Sequence, residues 1–127
     1  MTEQDARAVL EANPGVFAPD LLPSVFWKMT GGMLVVFHPM SDTTWMVHQA
    51  AAPGTHGMAV WRGIQAADAA FRAAHPEVRK LVGFVREGNA RALRMSYRAG
   101  FRLEGKIDDY HYENGEFSGI LIVGRRQ

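Results

Sequence analysis

The sequence predicts a mixed α/β fold: a partly parallel sheet built on strand-helix-strand units, to which a terminal hairpin adds antiparallel strands. Three observations lead there. The order of patterns is helix, three strands, helix, strand, helix, two strands, and strand-helix-strand units imply right-handed parallel crossovers. Between Gly57 and His75 the apolar positions Val60, Ile64, Ala67, Phe71 and Ala74 step by four, three, four and three, which is the face of one helix. Near the C-terminus, Asn114-Gly115 separates two long strand-like runs and is the strongest hairpin signal in the chain.

Thr2 followed by Asp5 resembles a helix-capping box, and Ala6, Val9 and Leu10 share one face before Pro14 and Gly15 end the helix. Residues 16–24 hold Pro19 and Pro23 and read as an irregular connection. "VFWKM" at 25–29 and "MLVVFHP" at 33–39 flank "TGG", a hairpin pattern. "TTWMVHQAA" at 43–51 is a third strand that leads into "APGTHGMA" and the long helix, which Pro76 stops. "KLVGFVR" at 80–86 reads as a buried central strand. "EGNARALRMSYRAG" is the next helix, with Gly100 where a left-handed cap is expected, and "FRLEGKIDDYHYENGEFSGILIVGRR" forms the terminal hairpin.

At 127 residues the chain is expected to form one domain, 1–127, with one core. Fourteen basic and 13 acidic side chains give a net charge of +1, so no global field draws it to nucleic acid or to an anionic membrane. No cysteine is present, which excludes disulfides, thiolate metal sites and a cysteine nucleophile. The N-terminus lacks a signal-peptide pattern and no apolar run spans a bilayer, so the cytoplasm is the expected compartment. His38, His48 and His56 are spaced by ten and eight residues, which matches no metal-ligand pattern, and no metal is expected.

The stretch 52–71 passes from a Pro/Gly-rich turn into a helix. Such a junction leaves N–H groups unpaired at the positive end of the helix dipole, so it is either a tight turn or an anion site. Gly54 and Gly57 would let a pyrophosphate approach the main chain without any lysine. Neither a Gly-Lys-Ser/Thr phosphate loop nor a Rossmann glycine pattern is present.

"GTHGMA" at 54–59 and "NARALRMSYRAGF" at 89–101 together resemble the GNAT superfamily of acyl-CoA-dependent N-acetyltransferases, over roughly residues 25–127. Gly57 and Ala59 match the end of Q/R-x-x-G-x-G/A, with Gly54 where the family usually has Gln or Arg. Asn89, Arg91, Ala92, Gly100 and Phe101 match N-x-R-A followed by G-F, and "LEG" at 103–105 continues it. The resemblance implies a GNAT-like α/β fold, with a mixed, mostly antiparallel central sheet, a parallel strand-helix-strand centre and helices on both faces, and acetyl-CoA as co-substrate. The implied coenzyme contacts are the backbone of Val47, His48 and Gln49 and the loop Gly54, Thr55, His56, Gly57, Met58 and Ala59. On the following helix they are Asn89, Ala92 and Ser96. Asn89 reads equally as a simple N-cap.

The family's usual tyrosine, four residues before the G-F glycine, serves the leaving sulfur; here that position is Ser96, and Tyr97 is one residue late. Asn89 and Ser96 are seven residues apart and share a helix face, whereas Tyr97 is rotated by about 100°. Both Ser96 and Tyr97 remain candidates, each with a packing role as the plain alternative. His48, Glu87 and the cluster Asp108 to Tyr112 are candidate bases, each of which reads also as solvated or structural. Arg91, Arg94, Arg98 and Arg102 form a basic run, either a solvated face or a contact for the coenzyme 3′-phosphate.

Compared with the family, the N-terminal part is abbreviated, as in phage-encoded members, so the acceptor groove is expected to be open or completed by a second copy in a homodimer. The acceptor itself is an unidentified amine of a small molecule or protein, reached by direct attack. The alternative is a GNAT-fold component that binds without turnover, favoured by Gly54 and by the tyrosine missing from position 96. A nucleic-acid-binding role has no motif behind it.

Overall fold

A computed structural model describes residues 2–127. Its elements are α1 (Glu3–Glu11), a 3-10 helix (Pro19–Ser24), β1 (Phe26–Thr30), β2 (Met33–Pro39) and β3 (Thr44–Ala51). Then come α2 (Met58–Ala74), β4 (Lys80–Arg86), α3 (Ala90–Arg98), β5 (Arg102–Glu113) and β6 (Glu116–Arg126). The strands form one six-stranded sheet in the order β1-β2-β3-β4-β6-β5. Only β3 and β4 are parallel; every other neighbouring pair is antiparallel.

Alternation along β2 divides the core in two. Met33, Val35 and Phe37 face α2 and α3 with Ile64, Ala67, Phe71, Leu81, Phe101 and Val123, while Leu34 and Val36 face α1 with Ala6, Val9, Leu10 and Leu22. Phe37 and Phe71 stack with centroids 4.2 Å apart. On α2 the buried stripe is Gly63, Ile64, Ala67 and Phe71, and the expected stripe shortens at its C-terminal end, where Ala74 is exposed. Gly63 lets α2 lie directly on the β1–β2 hairpin, since a Cβ there would stand 2.4 Å from Cβ of Met33.

Local signals explain the ends. Thr2 Oγ1 accepts from the Asp5 N–H at 3.3 Å while the Asp5 carboxylate accepts from the Thr2 N–H at 2.8 Å, so the capping box closes with Asp in place of Glu. Gly100, at φ +96°, ends α3: its N–H donates to Tyr97 O and the Phe101 N–H to Ser96 O, the two bonds of a Schellman cap. Asn114 and Gly115 both adopt positive φ, as a primed hairpin turn requires.

Two features depart from the sequence expectation. The connection at 16–24 contains a 3-10 helix that buries Leu22 against α1; Pro19 starts it, and it is too short to give a helical period. β5 also carries one additional residue relative to β6 between Leu103 and Gly105 and two more in a larger bulge, where four steps from Ile107 to His111 face two from Ile120 to Ser118. Asp109 takes φ +54° within this bulge.

Candidate functional site

The parallel pair β3–β4 supplies the site by coming apart. Pairing runs from Thr44–Lys80 to Val47–Gly83 and stops there, although β3 continues to Ala51 and β4 to Arg86. β3 stays paired to β2 as far as Ala51–Met33, and β4 to β6 as far as Arg86–Ile120, so each follows its outer neighbour and the two diverge. One backbone edge of His48 to Ala51 is thereby left without a strand partner.

A groove of about 870 Å³ fills this split. Val47, His48 and Gln49 line it from β3, and Asn89, Ala92 and Ser96 from α3. Phe84 and Arg86 of β4 line it together with Tyr110, His111 and Glu113 of β5, and the turn Pro14–Val16 also borders it. Tyr110 lies within the larger bulge of β5 and packs edge-on to Phe84 at 5.8 Å.

The loop of residues Gly54, Thr55, His56, Gly57, Met58 and Ala59 follows from the unpaired end of β3 and does not itself line the groove. Gly54 and Gly57 have φ of +86° and +62°, and no side chain caps α2. Among the described residues, the N–H groups of Gly57, Met58, Ala59 and Val60 find no acceptor. The loop is fixed from below: the Ala52 N–H donates to Gly32 O at 2.7 Å, and the Asn13 amide donates to Ala51 O at 2.9 Å. Gly32 is needed there, because a Cβ would stand 1.9 Å from Thr55 Oγ1.

On α3, Asn89 is the N-cap, its Oδ1 accepting from the Ala92 N–H at 3.1 Å, which leaves its amide NH2 free. Ser96 reaches the groove and its hydroxyl donates to Ala92 O at 3.0 Å. Tyr97 is absent from the groove wall and is 38% exposed, consistent with its rotation away from Ser96.

The overall fold that carries this groove is shared with solved structures. A ribosomal-protein-alanine N-acetyltransferase from Brucella melitensis matches with TM-score 0.77 at 13% identity, over 100% of this chain and 97% of that one. A GNAT family acetyltransferase from Elizabethkingia anophelis with acetyl-CoA bound matches with TM-score 0.73 at 16% identity, over 94% and 88%. The yncA protein of Salmonella typhimurium, solved with its cofactor acetyl-CoA, matches with TM-score 0.76 at 11% identity, over 99% and 90%. This chain has the GNAT acetyltransferase fold. No sequence-family model matches it, and no curated protein matches it by sequence.

Within the GNAT fold the titratable candidates occupy distinct environments. His48 lies on the α1 face with its Nε2 2.8 Å from Nε2 of His38, the rings nearly parallel and Phe17 packed against both. Burial, and secondarily the neighbouring His38, lowers its pKa to about 4, so it is neutral at pH 7. Glu87 is committed to Lys106 and the Gly119 N–H, which hold its carboxyl below the usual range, and it does not line the groove. Asp108, Asp109 and Tyr112 also stand outside the wall, whereas Tyr110 and His111 belong to it. Arg86 binds Glu113 and approaches His111 Nδ1 at 3.4 Å.

Sequence reasoning missed three participants. In the sequence His38 suggests at most a metal ligand, yet β2–β3 pairing sets Val36 opposite His48 and Met46 opposite His38, which makes the two histidines diagonal neighbours. Gly83 marks the last paired position of the split. Trp61 carries the Arg98 guanidinium 4.5 Å above its ring. Among the described residues no group of three His, Cys, Asp or Glu could hold a metal, and no helix is long and apolar enough to cross a membrane.

Proposed function

We propose that this chain is an acyl-CoA-dependent N-acetyltransferase that transfers the acetyl group of acetyl-CoA to an amine. The observation that carries the reading is the abrupt end of β3–β4 pairing at Val47–Gly83, continuous with the free N–H groups that start α2. Such a site suits a long ligand with an anionic head and an amide-containing arm. The residues fit coenzyme A: main-chain donors from Gly57 to Val60 take the pyrophosphate, and the exposed edge of His48 to Ala51 takes the arm's amides. The Asn89 amide and the Ser96 hydroxyl face the same groove from α3.

Acetyl-CoA supplies the activated acyl thioester; the protein must orient it and receive a proton from the amine. A neutral, weakly basic His48 cannot strip a proton from a free ammonium ion, because general-base efficiency follows basicity. An acceptor served by His48 must therefore arrive uncharged. That costs about one pH unit at pH 7 for an α-amino group and about three for a lysine side chain, which favours an α-amino or similarly weak amine. His48 then takes the proton only once attack has made the nitrogen acidic. The amine approaches from the α1 face, between His48 and the Phe84–Tyr110 pair.

A second reading, coenzyme binding without turnover, is favoured by the Ser96 hydroxyl, whose proton is already given to Ala92 O. Calorimetric titration with acetyl-CoA, CoA and ATP tests the shared part: micromolar binding by both CoA forms and none by ATP is expected. No binding at millimolar ligand overturns both readings. Acetylation of an N-terminal peptide or small-amine panel by the purified protein then separates them, since binding without product leaves the second.

A further inference from the structure

A cleft of about 250 Å³ lies between α2 and α3 and abuts the groove, with which it shares Val47, Gln49, Ile64, Ala99 and Phe101 as walls. Its sheet-side floor is apolar, formed by Val35, Phe37 and Leu81. The charges on the remaining wall are unbalanced. Asp68 is its one carboxylate, already engaged by Arg125 at 2.5 Å and Arg72 at 3.4 Å. Arg98 completes three guanidinium groups and has no carboxylate partner among the described residues. It is held instead over Trp61, which leaves its planar N–H edge free for an anion.

We propose that this cleft is an acyl subsite for a chain longer than acetyl that ends in a carboxylate, so that the preferred donor is a dicarboxylic acyl-CoA. The proposal rests on the acyl-CoA reading above. The acyl methylenes lie along Val47 and Ala99, the half-buried walls shared with the groove, and the terminal carboxylate meets Arg98. An acetyl group is too short to give the guanidinium its anion. The same positive surplus could instead meet the coenzyme's own 3′-phosphate, so the two anions must be told apart.

Calorimetric titration of the purified chain with CoA, 3′-dephospho-CoA, acetyl-CoA, succinyl-CoA and glutaryl-CoA does so without relying on turnover. One of the two dicarboxylic thioesters is expected to bind about tenfold more tightly than acetyl-CoA, the size of a charge-assisted hydrogen bond. Arg98→Gln, an exposed position at which folding is retained, is expected to erase that advantage and leave acetyl-CoA binding unchanged, and Arg98→Lys to keep part of it. Equal affinities for the three thioesters would overturn the subsite. So would an Arg98→Gln loss that appears equally with CoA and acetyl-CoA but vanishes with dephospho-CoA, which would give Arg98 to the 3′-phosphate. Absence of binding by CoA itself would instead remove the acyl-CoA reading, and the subsite with it.

Discussion

His38 and His48 face each other through their Nε2 atoms at 2.8 Å, with Phe17 packed against both rings. Burial makes charging His48 unfavourable, and the second imidazole adds to the cost. Its pKa falls from 6.5 to about 4 on folding, so the unfolded chain binds the extra proton between those values. Stability from this neutral imidazole is complete above pH 6.5 and is lost as pH falls toward 4. At 1.36 kcal/mol per unit, the loss is about 3 kcal/mol. Urea denaturation at pH 7 and pH 4.5 should record most of it, and His48→Gln should flatten the difference. Equal pH dependence in that variant would assign the loss to other groups.

Gly57 combines φ +62° with open space around its Cα, so a side chain there is strained and projects outward beside the unpaired N–H groups. Gly57→Glu adds a carboxylate where a pyrophosphate is proposed to bind. CoA affinity should fall by about a hundredfold or more, the combined size of backbone strain and charge opposition. Unchanged affinity in calorimetry, with circular dichroism unaltered, would remove the loop from the coenzyme site.

Ser96 and Tyr97 are adjacent on α3, but only Ser96 borders the groove. Because its hydroxyl proton is given to Ala92 O, Ser96 assists a leaving sulfur only after rotating. Ser96→Ala should therefore lower kcat by only about fivefold, one hydrogen bond's worth, with acetyl-CoA affinity unchanged. Tyr97→Phe should change neither. A larger loss in Tyr97→Phe would exchange their roles.

The legible parts of this chain are those whose cause is local. Asn114-Gly115 announces a turn because few other residues tolerate paired positive φ, and Gly100 announces the end of α3 for the same reason. The long helix is visible because Ile64, Ala67 and Phe71 bury one stripe. The split at Val47–Gly83 has no such mark: "KLVGFVR" reads as an ordinary buried strand, and its departure from β3 is decided by β2 and β6 pulling the two strands apart. The bulge at Asp109 is equally silent, since positive φ falls on a residue that is not glycine. His38 could have been matched to His48 by counting across the strand register, but only once the pairing of β2 with β3 was given.

Arg125 joins three elements around the proposed acyl cleft. It binds Asp68 of α2 at 2.5 Å, donates to Ala99 O at the end of α3 at 3.0 Å, and covers Phe101 with its guanidinium 5.0 Å from the ring centroid. Its side chain is 12% exposed and that of Asp68 is 28%, so the pair is less solvated than an ordinary surface bridge. Removing the cation leaves Ala99 O without this donor and Asp68 with only the longer contact to Arg72. Arg125→Met should then cost about 2–3 kcal/mol, slightly under the loss for breaking a fully buried pair. Asp68→Asn keeps a hydrogen-bond acceptor for Arg125 and should cost about 1 kcal/mol. Urea denaturation measures both, and a loss in Arg125→Met no larger than in Asp68→Asn would mean that α3 is held to the sheet by Phe101 and Ala99 packing alone.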